Sequence, residues 1–364
     1  MKFGCSLVFN YKSDVDKGKR VLVSYVNDFS FIGLERFNRH TNRLEANEIV
    51  KTFLRFGYCV DLVSCDDIKF EPKKTYDVIF GFGYPYRKAK AEFRNTKKIL
   101  YLTENDPKSA SSQERLAYEK YNELFDLSVC LDLVRAGRYY SNDDLLNNDV
   151  VVALGDELRQ RELISNGVDA RCLLPTGLCA KSYKPLRNVE KSRYNILWFG
   201  SGGCILKGLP LLLFVVSKYF PEFNIYVAGL NEGECKKYIE PLNLNFKNLG
   251  FLSVGSDDFI DTINSCSFMV LPSYSEAAST SVLTALRHGL IPIVSKHVGL
   301  SSLDFVKSID LLTEVGLKDA LKWCHDLDIK EIETYHKKIY IKYNDDLNIN
   351  KFSYDFSSII NGIL

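Results

Sequence analysis

No stretch of this sequence approaches the roughly 18 consecutive apolar residues that a membrane-spanning helix needs, and residues 1 to 20 carry no apolar core. The expectation is a chain with neither a spanning helix nor a secretory leader, at work in the cytoplasm where it is made. Net charge is almost absent as well: 47 basic residues face 46 acidic ones. That balance argues against a nucleic-acid footprint as the main business of the protein. The ten cysteines include no Cys-x-x-Cys pair and no histidine at zinc spacing. They read as small buried hydrophobes in a reducing compartment, and no metal site is expected. The acidic pairs Asp66-Asp67, Asp143-Asp144 and Asp257-Asp258 follow no strand convincingly and read as caps or solvated loops. No internal repeat and no low-complexity segment is found.

What is present is a globular composition, 46% apolar and 26% charged over 364 residues. That length suits two domains better than one core. Short apolar runs alternate with stretches of helical periodicity. In the first half the strand-like runs are RVLVSYV (20–26), CVDLVS (59–64), YDVIFGFG (76–83), KKILYLTEN (97–105), VVVALG (150–155) and ARCLLPT (170–176). Between them, TNRLEANEIVKTFLRFG (41–57) places Leu44, Ile49, Val50, Phe53 and Leu54 at helical spacing, and a charged helix is expected near 111–125. The polar segment 177–193 reads as a linker. The alternation then restarts with YNILWFG (194–200), FNIYVAGL (223–230), FKNLGFL (246–252), CSFMVLPS (266–273) and LIPIVSK (290–296). Helices are expected at 207–220, at 257–264 and before 289. Strands separated by helices of this length imply two doubly wound, mostly parallel α/β sheets. Ligands of such sheets sit at the carboxyl ends of the strands.

Two loops of the second half carry the chemistry. In FGSGGCILKGLP (199–210), Gly202 and Gly203 let backbone N–H groups approach a ligand, and Lys207 stands at the mouth of a helix. A phosphate suits that arrangement, although a turn with a solvated lysine fits the same residues, and neither the Rossmann fingerprint nor the P-loop pattern is matched. In LPSYSEAASTSVLTALRHG (271–289), Ser279, Thr280 and Ser281 stand where a helix begins, and Glu276 precedes it. The glutamate can favour the helix dipole, or it can accept hydrogen bonds from ligand hydroxyls.

Taken in order, the glycine loop with Lys-Gly, "VAG", "NLGFLS", "SFMVLPSYSE" and "GLIPIVSK" resemble the carboxyl half of GT-B glycosyltransferases. The similarity is to the large group, family 4-like, that uses nucleotide-sugar donors and carries a Glu-x7-Glu motif, and it covers about residues 194–300. The resemblance implies two Rossmann-like domains: 1–180 for the acceptor, 194–335 for the donor, and a helical tail, 336–364, returning to the first. It implies that Lys207 holds the donor diphosphate, that Glu276 holds hydroxyls of the transferred sugar, and that amides near Thr280 and Ser281 face the phosphates. No cofactor is implied beyond a UDP- or GDP-sugar substrate. The outcome implied is metal-independent transfer, with retention favoured, to a glycan, a lipid-linked or a protein-linked acceptor during polysaccharide assembly.

Two positions depart from the pattern. The second glutamate, which grips the ribose, falls at Thr284, and an arginine common after the strand falls at Ser201. Threonine cannot offer a ribose diol the two oxygens of a carboxylate. These departures keep a second reading open: a non-catalytic GT-B subunit that binds a glycan or stabilises a partner enzyme. A nicotinamide-dependent oxidoreductase has little support, since no GxGxxG follows the first strand. In the first half His40, Glu45, Glu104 and Asp106 can orient an acceptor hydroxyl, with His40 the candidate base. Against this, Asn42 and Glu45 are spaced as a capping box and Glu104 to Pro107 as a turn. Arg87, Lys88 and Lys90 can meet an anionic membrane surface at its inner face or simply be solvated.

Overall fold

The computed structural model describes residues 6–28, 40–131, 139–179, 183 and 185–364. The chain divides into two compact units. Unit 1 contains residues 1–108, 136–175 and 349–364, and unit 2 contains 109–135 and 176–348.

Unit 1 is built on a seven-stranded sheet in the order β1-β3-β2-β4-β5-β6-β7. Its strands are β1 (Val8–Tyr11), β2 (Lys19–Tyr25), β3 (Tyr58–Ser64), β4 (Val78–Gly81), β5 (Lys97–Leu102), β6 (Val150–Leu154) and β7 (Ala170–Leu173). All neighbours are parallel except β1, which runs antiparallel to β3 with Val8 opposite Val63. The near-continuous apolar runs of β2 to β6 follow from burial on both faces. β1 is a half-exposed edge strand, which is why it leaves no apolar run in the sequence.

Helix α1 (Thr41–Arg55) buries Ala46, Ile49, Val50 and Phe53. The expected capping box is not formed: the boundary residue is His40, no side chain caps the helix, and Glu45 lies fully buried. Residues 76–83 do not form one long strand. The chain turns from β4 into a helix, Gly83–Glu92, through Gly81 and Gly83, both at positive φ. A Cβ on Gly81 would stand 2.0 Å from the carbonyl oxygen of Ser24, so only glycine fits. The charged helix α2 (Pro107–Phe125), which belongs to unit 2 from Ser109 on, starts earlier than its periodicity suggests.

Unit 2 has a six-stranded, wholly parallel sheet in the order β10-β9-β8-β11-β12-β13. Its strands are β8 (Asn195–Phe199), β9 (Asn224–Ala228), β10 (Lys247–Gly250), β11 (Phe268–Leu271), β12 (Ile291–Ser295) and β13 (Lys307–Ile309). Its main helices are α3 (Leu209–Tyr219), α4 (Thr280–Arg287), α5 (Glu314–Asp326) and α6 (Ile329–Asp346). The last helix, α7 (Ile349–Ile363), belongs to unit 1, where it buries Phe352, Phe356 and Ile360. The ring of Phe356 meets those of Phe53 and Phe80 edge-on at 6.3 and 5.5 Å.

The segment read as a linker is fastened to unit 2. Arg187 donates to the carbonyls of Ile263 and His288, and the Tyr183 hydroxyl to the Asn264 side chain and the His288 carbonyl. Among the described residues no helix is long and apolar enough to cross a membrane.

Candidate functional site

The carboxyl ends of β8, β11 and β12 are adjacent in the sheet, and the loops leaving them are tied to one another. Leu206, after β8, accepts from the Tyr274 amide at 2.8 Å and from the Ser273 hydroxyl at 3.3 Å. The Glu276 amide donates to the carbonyl of His297, after β12, at 2.9 Å. Two glycines permit this approach. A Cβ on Gly208 would lie 2.1 Å from the Pro272 oxygen, and one on Gly299 only 1.8 Å from that of Ala277; both residues have positive φ. Beneath the first loop Trp198 is fully buried, and its indole donates to the Lys207 carbonyl at 3.3 Å.

This knitting brings together two residues 69 positions apart. The Lys207 ammonium donates to Oε1 of Glu276, with the two side chains only 6% and 11% exposed. Moving both charges out of water costs several kcal/mol, so such a pair is weak grounds for stability and better grounds for a site. Just beyond Glu276, α4 begins at Thr280 with Ser279 in extended conformation. No side chain caps the helix; the Ser279 and Ser281 hydroxyls bond each other instead, at 2.9 Å. An uncapped helix start carries orphan N–H donors and partial positive charge. Ser279 is buried, while Thr280 and Ser281 are half-exposed.

The glycine loop is occupied by a group of the protein itself. The amide of Gly203 donates to Oε1 of Glu234 at 2.7 Å, and the next amide, Cys204, to Oε2 at 3.2 Å. Glu234 lies in the loop after β9, in a single helical turn whose start is capped by the Asn231 side chain. Nothing in the sequence singled it out: it is one glutamate in the run NEGE, and only the parallel pairing of β8 with β9 sets the two loops side by side.

The other candidates lie on other elements. Thr284 is 3% exposed and its hydroxyl accepts from the Leu178 amide at 3.1 Å. Where the resemblance implies a ribose contact, the structure has a hydroxyl spent on the crossing of residues 177–178 over α4. A Cβ on Gly177 would stand 2.6 Å from the Leu283 oxygen. His40 belongs to unit 1, exposed at the start of α1. The Glu104 carbonyl and the Asn105 side chain both accept from the guanidinium of the buried Arg159, so this stretch is a clasped turn leading into α2. Of the basic cluster, Lys88 pairs with Glu71, Lys90 donates to Asn148, and Arg87 faces Asp144 at 3.9 Å.

Within unit 2 a cavity of about 290 Å³ lies beside Gly208 and Pro210, walled by Tyr121, Leu124 and Phe125 of α2 and by Tyr274. Neither Lys207 nor Glu276 lines it, so it is not the anion site. No group of three or more His, Cys, Asp or Glu residues suited to a metal ion occurs among the described residues.

No family model matches this sequence. No curated protein matches it either. Solved structures do match in fold. A sucrose-phosphate synthase from Thermosynechococcus elongatus superposes with a TM-score of 0.64 at 12% identity, over 95% of this chain and 98% of that one. The Anabaena protein HepE, crystallised with UDP and glucose, gives 0.57 at 12% identity over 94% and 99%. A glycosyltransferase from Rickettsia africae gives 0.57 at 14% identity over 95% and 98%. At these identities the likeness concerns the fold: the chain has the GT-B architecture, two Rossmann-like α/β units with parallel-dominated sheets.

Proposed function

We propose that the chain is a glycosyltransferase that moves a sugar from a nucleotide-sugar donor to a glycan, lipid-linked or protein-linked acceptor, without a metal and with retention at the anomeric carbon. The observation that carries this reading is the buried Lys207–Glu276 pair, held at the joined carboxyl ends of β8 and β11 beside the uncapped start of α4. A fold relative crystallised with UDP and glucose supports a nucleotide-sugar as the ligand class.

In the reaction the bond from the anomeric carbon to the diphosphate oxygen breaks, and one to an acceptor oxygen forms. The acceptor proton leaves, and negative charge grows on the departing diphosphate while the sugar becomes oxocarbenium-like. Lys207 supplies a fixed positive charge for that group, and the first amides of α4 add donors that need no reorganisation. Glu276 serves twice: its carboxylate steers the lysine, and a carboxylate is also the group that accepts from sugar hydroxyls. His40 is the candidate acceptor of the proton. Thr284 drops out of the donor contacts, so the ribose is gripped elsewhere.

A mass-spectrometric screen of nucleotide-sugar hydrolysis tests the reading, because slow donor hydrolysis reveals the sugar without knowledge of the acceptor. Hydrolysis of one donor that Lys207→Met and Glu276→Gln both abolish is the expected result. Equal hydrolysis in both variants would overturn the site. The second reading, a non-catalytic GT-B subunit, draws support from Ser201, Thr284 and the carboxylate already seated on the glycine loop. It predicts no calorimetric heat with any nucleotide of a full panel.

A further inference from the structure

We propose that Glu234 is an internal anion standing where a donor diphosphate would sit, a residue that must be displaced for the donor to bind and that thereby sets donor affinity. The inference rests on the glycosyltransferase reading above and concerns the same site.

The geometry is that of an anion nest. Two consecutive amides, Gly203 and Cys204, point at the two oxygens of one carboxylate, with Gly203 at φ 91°. Consecutive N–H groups in such a turn form a concavity for anions, and a phosphate presents the same pair of acceptor oxygens as a carboxylate. The fit leaves little space: a Cβ on Gly202 would stand 3.3 Å from Oε1 of Glu234. No cation is found paired with Glu234 among the described residues, so two backbone amides and the Cys204 thiol are what hold it. The nest and Lys207 share one turn of the chain. The Lys207 amide donates to the Gly203 carbonyl at 2.8 Å, placing the loop and the lysine within one turn.

Both positive features that a diphosphate would use are therefore engaged by the chain's own acids, Lys207 by Glu276 and the glycine loop by Glu234. The two engagements differ. Lys207 is buried, whereas Glu234 is half-exposed in a turn whose Asn231, Glu232 and Gly233 are exposed, and rotation of its side chain reaches water. An incoming diphosphate competes with one carboxylate for two amides. Removing that carboxylate removes both the competitor and a like charge.

Calorimetry with inorganic pyrophosphate, UDP, GDP and uridine on the full chain and on Glu234→Gln and Glu234→Ala tests this, each variant first checked for an unchanged circular-dichroism spectrum. The expected result is pyrophosphate and at least one nucleoside diphosphate binding about tenfold more tightly to Glu234→Ala, with a smaller gain in Glu234→Gln and none for uridine. A folded variant that binds pyrophosphate no better than wild type overturns the proposal. Should neither variant fold, amide resonances of wild-type Gly203 and Cys204 decide: movement on addition of pyrophosphate supports displacement, and no movement overturns it. Tighter pyrophosphate without any nucleotide binding keeps the internal anion and defeats the donor reading. Nucleotide binding equal in all three proteins keeps the donor reading and defeats the internal anion.

Discussion

The two units place loops at the carboxyl ends of parallel strands in the same way, yet fill those ends with opposite chemistry. In unit 1 the loop after β5 is clasped from behind: Arg159 spends its guanidinium on the Glu104 carbonyl and the Asn105 side chain, and the turn is closed. In unit 2 the loops after β8 and β11 are joined through backbone, and the side chains left over, Lys207 and Glu276, meet each other. A doubly wound sheet thus supplies the place for a site, while the chemistry depends on whether the charges at the loops are consumed by the backbone or left to face one another. The cores differ in kind too. Both hold buried ring contacts, among Phe53, Phe80, Tyr101 and Phe356 in unit 1 and among Phe220, Phe223 and Phe268 in unit 2. Among the described residues, however, it is unit 2 that buries two histidines, His288 and His336.

The strongest break of this contrast is at the charged pair. Lys207→Met or Glu276→Gln is expected to cut donor turnover at least about 100-fold. Glu276→Gln removes only the countercharge of Lys207, whereas Lys207→Met leaves the Glu276 carboxylate without its ammonium and should also cost about 3 to 5 kcal/mol of stability in urea titration. The double variant Lys207→Met/Glu276→Leu should regain most of the stability and none of the turnover. Recovery of both would reduce the pair to a structural contact. Next comes Phe356→Ala, which empties the aromatic contact of α7 and should destabilise unit 1 by about 3 to 5 kcal/mol, read as earlier loss of hydrogen-exchange protection in β4 than in β11. Simultaneous loss in both strands would show one cooperative unit where two are expected.

Acid should separate the units as well. Burial holds His288 neutral with its pKa lowered to about 4, and burial likewise lowers His336 well below the ordinary value. A histidine whose folded pKa lies below its unfolded one contributes stability in full above about pH 6.5, lost as pH falls toward 4. For His288 alone the loss approaches roughly 3 kcal/mol. Unit 2 should therefore open before unit 1 between pH 6 and 4, and His288→Gln should flatten the dependence; an unchanged slope in that variant would place the titrating group elsewhere. The smallest effect is expected at Thr284→Val, which strips the Leu178 amide of its acceptor at a cost of about 1 to 3 kcal/mol. Nucleotide affinity should stay where it was, and a weakened affinity would restore Thr284 to the donor site.

Much of the architecture was legible in the residues. Buried parallel strands announce themselves as apolar runs, and two series of them mark two doubly wound α/β units; the GT-B arrangement was implied by the resemblance of the loop motifs. What escaped was structure made by long-range pairing: β1, visible only through its register with β3, and the Gly81–Gly83 corner, whose glycines answer to the Ser24 carbonyl. The Asn42–Glu45 spacing misled for the same kind of reason, because burial of Glu45 in unit 1 overrode a local capping preference.

The candidate site divides along the same line. By itself the sequence determined which loops carry glycine, lysine and glutamate at strand ends, since these are matters of local pattern. That Lys207 would meet Glu276, that Thr284 would turn inward to Leu178, and that Glu234 would take the Gly203 and Cys204 amides were decided by the tertiary structure alone. The physical reason is that a hydrogen bond between residues tens of positions apart depends on which strands lie side by side, and strand order is set by the packing of the whole sheet.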